Sequence, residues 1–210
     1  MSMILVVCTG NVCRSPLAEA TLRKQPGLDG LTIRSAGTGV VPEHPMCERA
    51  LAILANSGDP AVHHRPRALT PGLLENADLV LVAAYEHRAA VALMRPTARR
   101  KTFTLKEACV FIRSMVAEHP FNRQGEPGAL EERVDSMVRR MNDMRGAGKL
   151  TGRQTPRTLF TRPSSSFVAH AEIADGHWGT ERAHRKTLKE VAVISQAIGA
   201  GLADLLGAPH

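Results

Sequence analysis

Met3-Ile-Leu-Val-Val-Cys8-Thr-Gly-Asn-Val-Cys-Arg-Ser-Pro16 is the stretch that decides the fold. Met3–Val7 is a short apolar run rich in branched residues, which suits a strand buried on both faces. A polar turn follows, and Pro16 stands where a helix would begin, with Leu17–Lys24 continuing it. A turn between a buried strand and a helix gathers backbone N–H groups into an anion nest, and the helix N-terminus adds positive potential. Gly10 permits unusual backbone angles there, and Asn11 tolerates a left-handed conformation better than most residues. Arg14 can grip two phosphate oxygens with its planar fork. The same field favours a thiolate at Cys8, and the Ser15 hydroxyl can donate to it. Thr9, Gly10, Asn11, Val12, Cys13, Arg14 and Ser15 therefore read as the lining of a phosphate site with Cys8 as its nucleophile.

Outward from this stretch, strand and helix alternate. Leu31–Ser35 reads as a second strand, Met46–Asn56 as a helix stopped at Gly58, and Asp78–Ala83 as a buried strand. Tyr85–Met94 reads as a helix and Lys101–Leu105 as a fourth strand. The alternation predicts an α/β fold with a parallel sheet. From Pro120 to about His170 the chain turns basic and polar, with nine Lys/Arg against five Asp/Glu. A helical stripe runs through Val134, Met137, Val138 and Met141, and Gly146–Ser166 reads as a loop. The expectation is one domain over 1–210 carrying a basic insert at about 120–170. A last helix spans about Thr180–Leu206.

The chain has 210 residues, 43% of them hydrophobic and 22% charged, as in globular proteins. The N-terminal apolar run is too short for a signal peptide or a membrane span. Four cysteines without an export signal read as reduced thiols, which places the protein in the cytoplasm. The net charge of +7 favours anionic partners, but 3% aromatics argues against a single-stranded nucleic-acid binder. Cys47, Cys109 and the remaining histidines show no metal-ligand spacing and read as structural.

At Cys8–Pro16 the sequence resembles the low-molecular-weight protein tyrosine phosphatase family, whose signature Cys-x-Gly-Asn-(Ile/Val)-Cys-Arg-Ser-Pro it meets in full. Ser35-Ala36-Gly37-Thr38, His64-Arg65-Pro66-Arg67 and the strand after Ala77 extend the likeness to about residues 3–106 and 171–206. The resemblance implies a four-stranded parallel sheet flanked by helices on both faces, with the phosphate loop between the first strand and first helix. It implies support of that loop by Asn11, Ser15, Ser35 and His64. The bland alternatives are a turn hydroxyl for Ser35 and a surface histidine for His64.

The resemblance also implies a general acid before the last helix. Asp175 holds that position, and Glu172 is the rival acid. Gly176 replaces the family's proline, which loosens the backbone. Restoring proline is expected to leave activity unchanged or raise it. Trp178 either lines the pocket mouth or packs on the last helix, and Val40 and Val41 occupy the substrate-pocket segment. Cys13 is either the redox partner of Cys8 or a buried filler.

The implied reaction is hydrolysis of a phosphate monoester through a phosphocysteine, with no metal and no cofactor. The implied substrate is a phosphorylated protein, with Val12 tilting toward phosphotyrosine because arginine phosphatases of the family carry threonine there. A protein-arginine phosphatase and a weakly active phosphoanion-binding regulator remain as alternatives. Arsenate reductases of the same fold need further cysteines after the third strand, and Leu79–Pro96 has none.

Overall fold

The computed structural model describes residues 2–56, 64–118, 128–146, 172–176 and 179–207. Four parallel strands form one sheet in the order β2-β1-β3-β4: β1 Met3–Cys8, β2 Thr32–Gly37, β3 Leu79–Val82 and β4 Thr102–Thr104. Every residue of β1 and β3 is buried. Because side chains alternate across a strand, each central strand feeds both faces. Ile4, Val6, Leu79 and Leu81 join one core, and Met3, Leu5, Val7, Val80 and Val82 the other. Fully burying a side chain of this size contributes about 1.5–3 kcal/mol, so the central strands hold the two layers together.

The first core is covered by α1 (Arg14–Arg23), α2 (Glu48–Asn56), α5 (Leu105–Glu118), α6 (Leu130–Gly146) and α7 (Glu181–Leu206). The second is covered by α3 (Pro71–Asn76), α4 (Tyr85–Met94) and a short 3-10 helix at Pro96–Lys101. The expected doubly flanked parallel sheet is the one found. The stripe expected on the helix after Pro120 is also found, since Val134, Met137, Val138 and Met141 of α6 are buried in the same core as α5 and α7. Five of the segment's 19 described residues, these four and Met144, are thus buried in the core, whatever its charge. Most of the expected Gly146–Ser166 loop, and Trp178, lie outside the described residues.

Two helices escaped the sequence reading. Thr70 caps α3 by accepting from the Leu73 N–H at 3.2 Å, with Pro71 in the first turn. Thr104 and Glu107 form a reciprocal capping box at the start of α5, at 3.1 and 2.9 Å. No described helix is long and apolar enough to cross a membrane.

Candidate active site

The helix begins earlier than expected. α1 starts at Arg14, so Arg14 and Ser15 lie in its first turn rather than before it. Pro16 is tolerated because first-turn N–H groups have no intrahelical partner. That start carries the Ser15 hydroxyl to the end of β1, where its Oγ lies 3.0 Å from Cys8 Sγ. Ser15 Oγ also accepts from Asn11 Nδ2 at 2.9 Å, so its one hydroxyl proton can go to the sulfur or to the Ala36 carbonyl, 3.5 Å away.

Asn11 organises the loop. Its φ is +54°, in the left-handed region that asparagine tolerates. Its side chain donates to Ser15 and, at 2.8 Å, to Ser35, and accepts from the Arg67 backbone N–H at 2.8 Å. His64 Nε2 donates to the Asn11 carbonyl at 2.7 Å. The four expected support residues therefore meet in one network. Glu19, which the sequence did not single out, accepts from Ser35 Oγ at 2.5 Å.

Gly10 does not play the part expected of it. Its φ is not in the left-handed region, and a Cβ there would meet only Val12 Cγ2, at an ordinary 3.5 Å. The glycine the loop needs is Gly37. A Cβ on Gly37 would lie 2.4 Å from the Thr9 carbonyl oxygen and 3.0 Å from the Asn11 nitrogen, so only glycine lets β2 run this close beneath the loop.

Arg14 is buried, and its guanidinium joins the loop to a distant segment. Nη1 donates to the Ile173 carbonyl at 3.2 Å, and Nη2 donates to Asp175 Oδ2 at 2.7 Å and to Thr9 Oγ1 at 3.3 Å. Ile173 is fully buried and its N–H donates to the Ala83 carbonyl at 2.9 Å, which pins the 172–176 segment to the end of β3. Glu172, the rival acid, is engaged elsewhere: its carboxylate accepts from the Tyr85 N–H at 2.7 Å, at the start of α4.

Cys8, Thr9, Gly10, Val12, Cys13, Arg14 and Asp175 line one cleft of about 180 Å³. Its outer wall is Gly39, Val41 and His44. Val40, expected in the pocket, instead packs over Gly37 and is not part of the lining, because Gly37 has no side chain to hold it off. Thr9 has a further partner that sequence did not reveal. His87 is buried with Nδ1 accepting from the Ala84 N–H at 3.1 Å, so its Nε2 donates to Thr9 Oγ1 at 3.0 Å. Burial, and then the positive charge of Arg14, lower the His87 pKa to about 4, so the ring is neutral at pH 7.

Gly176 is also not a loosening residue. A Cβ there would lie 2.8 Å from the His184 Cα and 3.1 Å from its nitrogen, so the segment rests directly on the α7 backbone. Proline carries a Cβ, so this contact argues against the expectation that restoring it would be harmless.

Cys47, expected to be structural, lies against two other ligand-type side chains. Its Sγ lies 3.7 Å from His184 Nε2, and Cys13, Cys47 and His184 place their ligand-type atoms within 4.8 Å of one another. A hydrogen bond from the Cys13 thiol lowers the Cys47 pKa to about 5, aided by the N–H groups of Ala50 and Arg49 at the start of α2 and opposed by burial. The Cys13 thiol is raised in turn by that bond, by burial and by the negative charges around it.

With this geometry in place, likeness to known proteins is specific. Residues 3–110, just over half of the chain, match the family described as low molecular weight phosphotyrosine protein phosphatase. The chain belongs to that family. It is 43% identical over 99 residues to the low molecular weight protein-tyrosine-phosphatase Etp of Escherichia coli K12, covering 47% of this chain and 66% of Etp. It is 40% identical over 106 residues to the protein-arginine-phosphatase of Bacillus subtilis, covering 50% of this chain and 70% of that protein. The fold matches a low molecular weight phosphotyrosine phosphatase from Vibrio cholerae O395 with a TM-score of 0.58 at 18% identity, over 97% of this chain and 95% of the other. Family and fold are therefore as the Cys8–Pro16 stretch implied.

Proposed function

We propose that this chain is a cysteine-dependent phosphate monoester hydrolase acting on phosphotyrosine in proteins, in the cytoplasm. The observation that carries the reading is the convergence of Cys8, Arg14 and Asp175 on one cleft, with a hydroxyl 3.0 Å from the Cys8 sulfur. In this reading the Cys8 thiolate attacks phosphorus in line, the ester oxygen leaves, and a phosphocysteine forms. Loop N–H groups from Thr9 to Ser15 and the Arg14 fork stabilise charge on the equatorial oxygens. Asp175 protonates the leaving oxygen, then takes a proton from the water that attacks the phosphocysteine. Its side chain is 34% exposed, open enough to exchange that proton. Entering phosphate competes with Asp175 for Arg14 Nη2, which frees the carboxyl for the leaving group. Cys13 is read as the partner that captures oxidised Cys8 as a disulfide. The whole chain is read as one phosphatase domain with 120–170 as its insertion.

A second reading, protein-arginine phosphatase, is kept by the 40% identity to the Bacillus subtilis enzyme. Val12 favours the first, since it lines the cleft with an apolar side chain where the family resemblance implies threonine for an arginine phosphatase. The test is turnover of p-nitrophenyl phosphate, then of matched phosphotyrosine and phosphoarginine peptides. The reading expects turnover, preference for phosphotyrosine, and a shift toward phosphoarginine in Val12→Thr. A wild-type preference for phosphoarginine would reverse the assignment. No turnover of either peptide with tight phosphate binding would point to a phosphoanion-binding regulator.

A further inference from the structure

Cys13, Cys47 and His184 come from three separate places: the phosphate loop, the residue before α2, and the first turns of α7. No sequence spacing links them, yet their sulfur and nitrogen atoms lie within 4.8 Å of one another. In a tetrahedral zinc site, with Zn–S about 2.3 Å and Zn–N about 2.0–2.1 Å, a sulfur and a nitrogen stand about 3.5 Å apart and two sulfurs about 3.8 Å. The Cys47–His184 separation is 3.7 Å, already close to that edge. Two sulfurs and one imidazole are a donor set suited to borderline and soft cations, not to magnesium or calcium.

We propose that Cys13, Cys47 and His184 form a Zn²⁺-binding site behind one wall of the catalytic cleft, with a fourth position open to water. Cys13 lines the cleft and Cys47 is half-buried, so the site has an approach from solvent. Cys47 also donates its backbone N–H to the Val12 carbonyl at 2.8 Å, which ties the site to the loop. An ion there takes two thiolates and one neutral imidazole. The Cys13 and Cys47 thiol protons both go to solvent. The His184 proton must sit on Nδ1, so that Nε2 offers its lone pair.

That requirement has a specific consequence. Arg49 Nη1 now donates to His184 Nδ1 at 3.3 Å, and a protonated Nδ1 cannot accept it. Arg49 is exposed, so it can turn away, and its charge also opposes the cation. Arg49 is therefore a negative regulator of the site.

The test uses the reduced full-length protein without substrate. Co²⁺ is titrated in while thiolate-to-cobalt charge-transfer and tetrahedral d–d bands are followed. Zn²⁺ affinity is then measured against a chromogenic chelator. One equivalent of Co²⁺ is expected to develop the bands and Zn²⁺ to abolish them. Loss of a direct ligand in Cys47→Ser or His184→Gln should weaken Zn²⁺ beyond the about 10–100-fold that loss of an outer partner costs. Arg49→Ala should tighten it a few-fold, the size of one partly screened charge. Cys8→Ser should bind as wild type does, and Cys47→Ser should keep its p-nitrophenyl phosphate turnover. If His184→Gln fails to fold, by far-ultraviolet circular dichroism, Cys47→Ser decides alone. Absence of the bands, Zn²⁺ binding unchanged in Cys47→Ser, or binding lost in Cys8→Ser would overturn the site.

Discussion

The loop at 8–15 and the segment at 172–176 meet in one cleft, but they are built in opposite ways. The loop is continuous in sequence, anchored by β1 on one side and α1 on the other, and its network closes through Asn11, Ser15, Ser35 and His64. The segment brings one carboxylate to the cleft from far along the chain and is held by four borrowed contacts: Ile173 on Ala83 and on Arg14, Glu172 on Tyr85, and Asp175 on Arg14. In the proposed reading the loop is a preformed anion cradle, whereas the segment is positioned by docking. Binding should therefore depend on the loop, and the timing of proton transfer on the segment.

The sharpest separation comes from the nucleophile. Cys8→Ser removes the attacking sulfur but leaves the backbone cradle. Turnover of p-nitrophenyl phosphate is expected to fall at least about 10⁴-fold, with vanadate affinity largely kept. If both are lost together, the cradle is not preformed and the contrast between the two regions fails.

The acid is next. Asp175→Asn should slow alkyl or unsubstituted phenyl esters by about 10²–10⁴-fold, and p-nitrophenyl phosphate far less, because that leaving group needs little protonation. Equal losses on both would remove Asp175 from the acid role. Glu172→Gln is the matching control. Its carboxylate serves the Tyr85 N–H, so it should leave the leaving-group dependence untouched.

The same contrast explains what sequence could reveal. Cys8–Ser15 is legible because nucleophile, cradle and cation fall within one strand-turn-helix unit. The helices α3 and α5 escaped although each carries a local start signal, Thr70-Pro71 and the Thr104–Glu107 capping box; α5 follows β4 with no intervening turn to mark it. The Cys13–Cys47–His184 cluster and the His87–Thr9 bond were not legible, because they exist only after α2, α4 and α7 dock on the sheet. Gly37 and Gly176 show the same limit. Each is crowded by a backbone that approaches from elsewhere, which no local pattern encodes. Gly10, inside the motif, invited a conformational argument that its φ does not support.

His87 stands between the two regions and sets a pH dependence. Its pKa is lowered to about 4 in the fold, against 6.5 unperturbed. Between those values the unfolded chain binds a proton that the native state does not, so stability is full above 6.5 and lost as pH falls toward 4. The window is worth about 3 kcal/mol between pH 7 and pH 4. Urea unfolding across that range should show His87→Gln losing less stability than wild type by about this amount. Parallel curves for the two proteins would mean that the native ring takes up its proton normally.

The smallest effect concerns how the segment docks. A Cβ at Gly176 would lie 2.8 Å from the His184 Cα and 2.8 Å from Thr187 Oγ1. Thr187 can rotate its hydroxyl away, but the α7 backbone cannot yield without moving the helix. Crowding of this kind costs about 1–3 kcal/mol. Gly176→Ala and Gly176→Pro should therefore lose that much stability, or shift the segment and lose activity on poor leaving groups while keeping vanadate affinity. Gly179→Ala is the control in the same stretch, since its Cβ would meet the Gly176 carbonyl oxygen at 3.4 Å and Ala183 Cβ at 3.6 Å, both ordinary contacts. A Gly176→Pro protein as stable and active as wild type would show that the segment is held by its ties to Ala83, Tyr85 and Arg14 alone, with the close approach to α7 incidental.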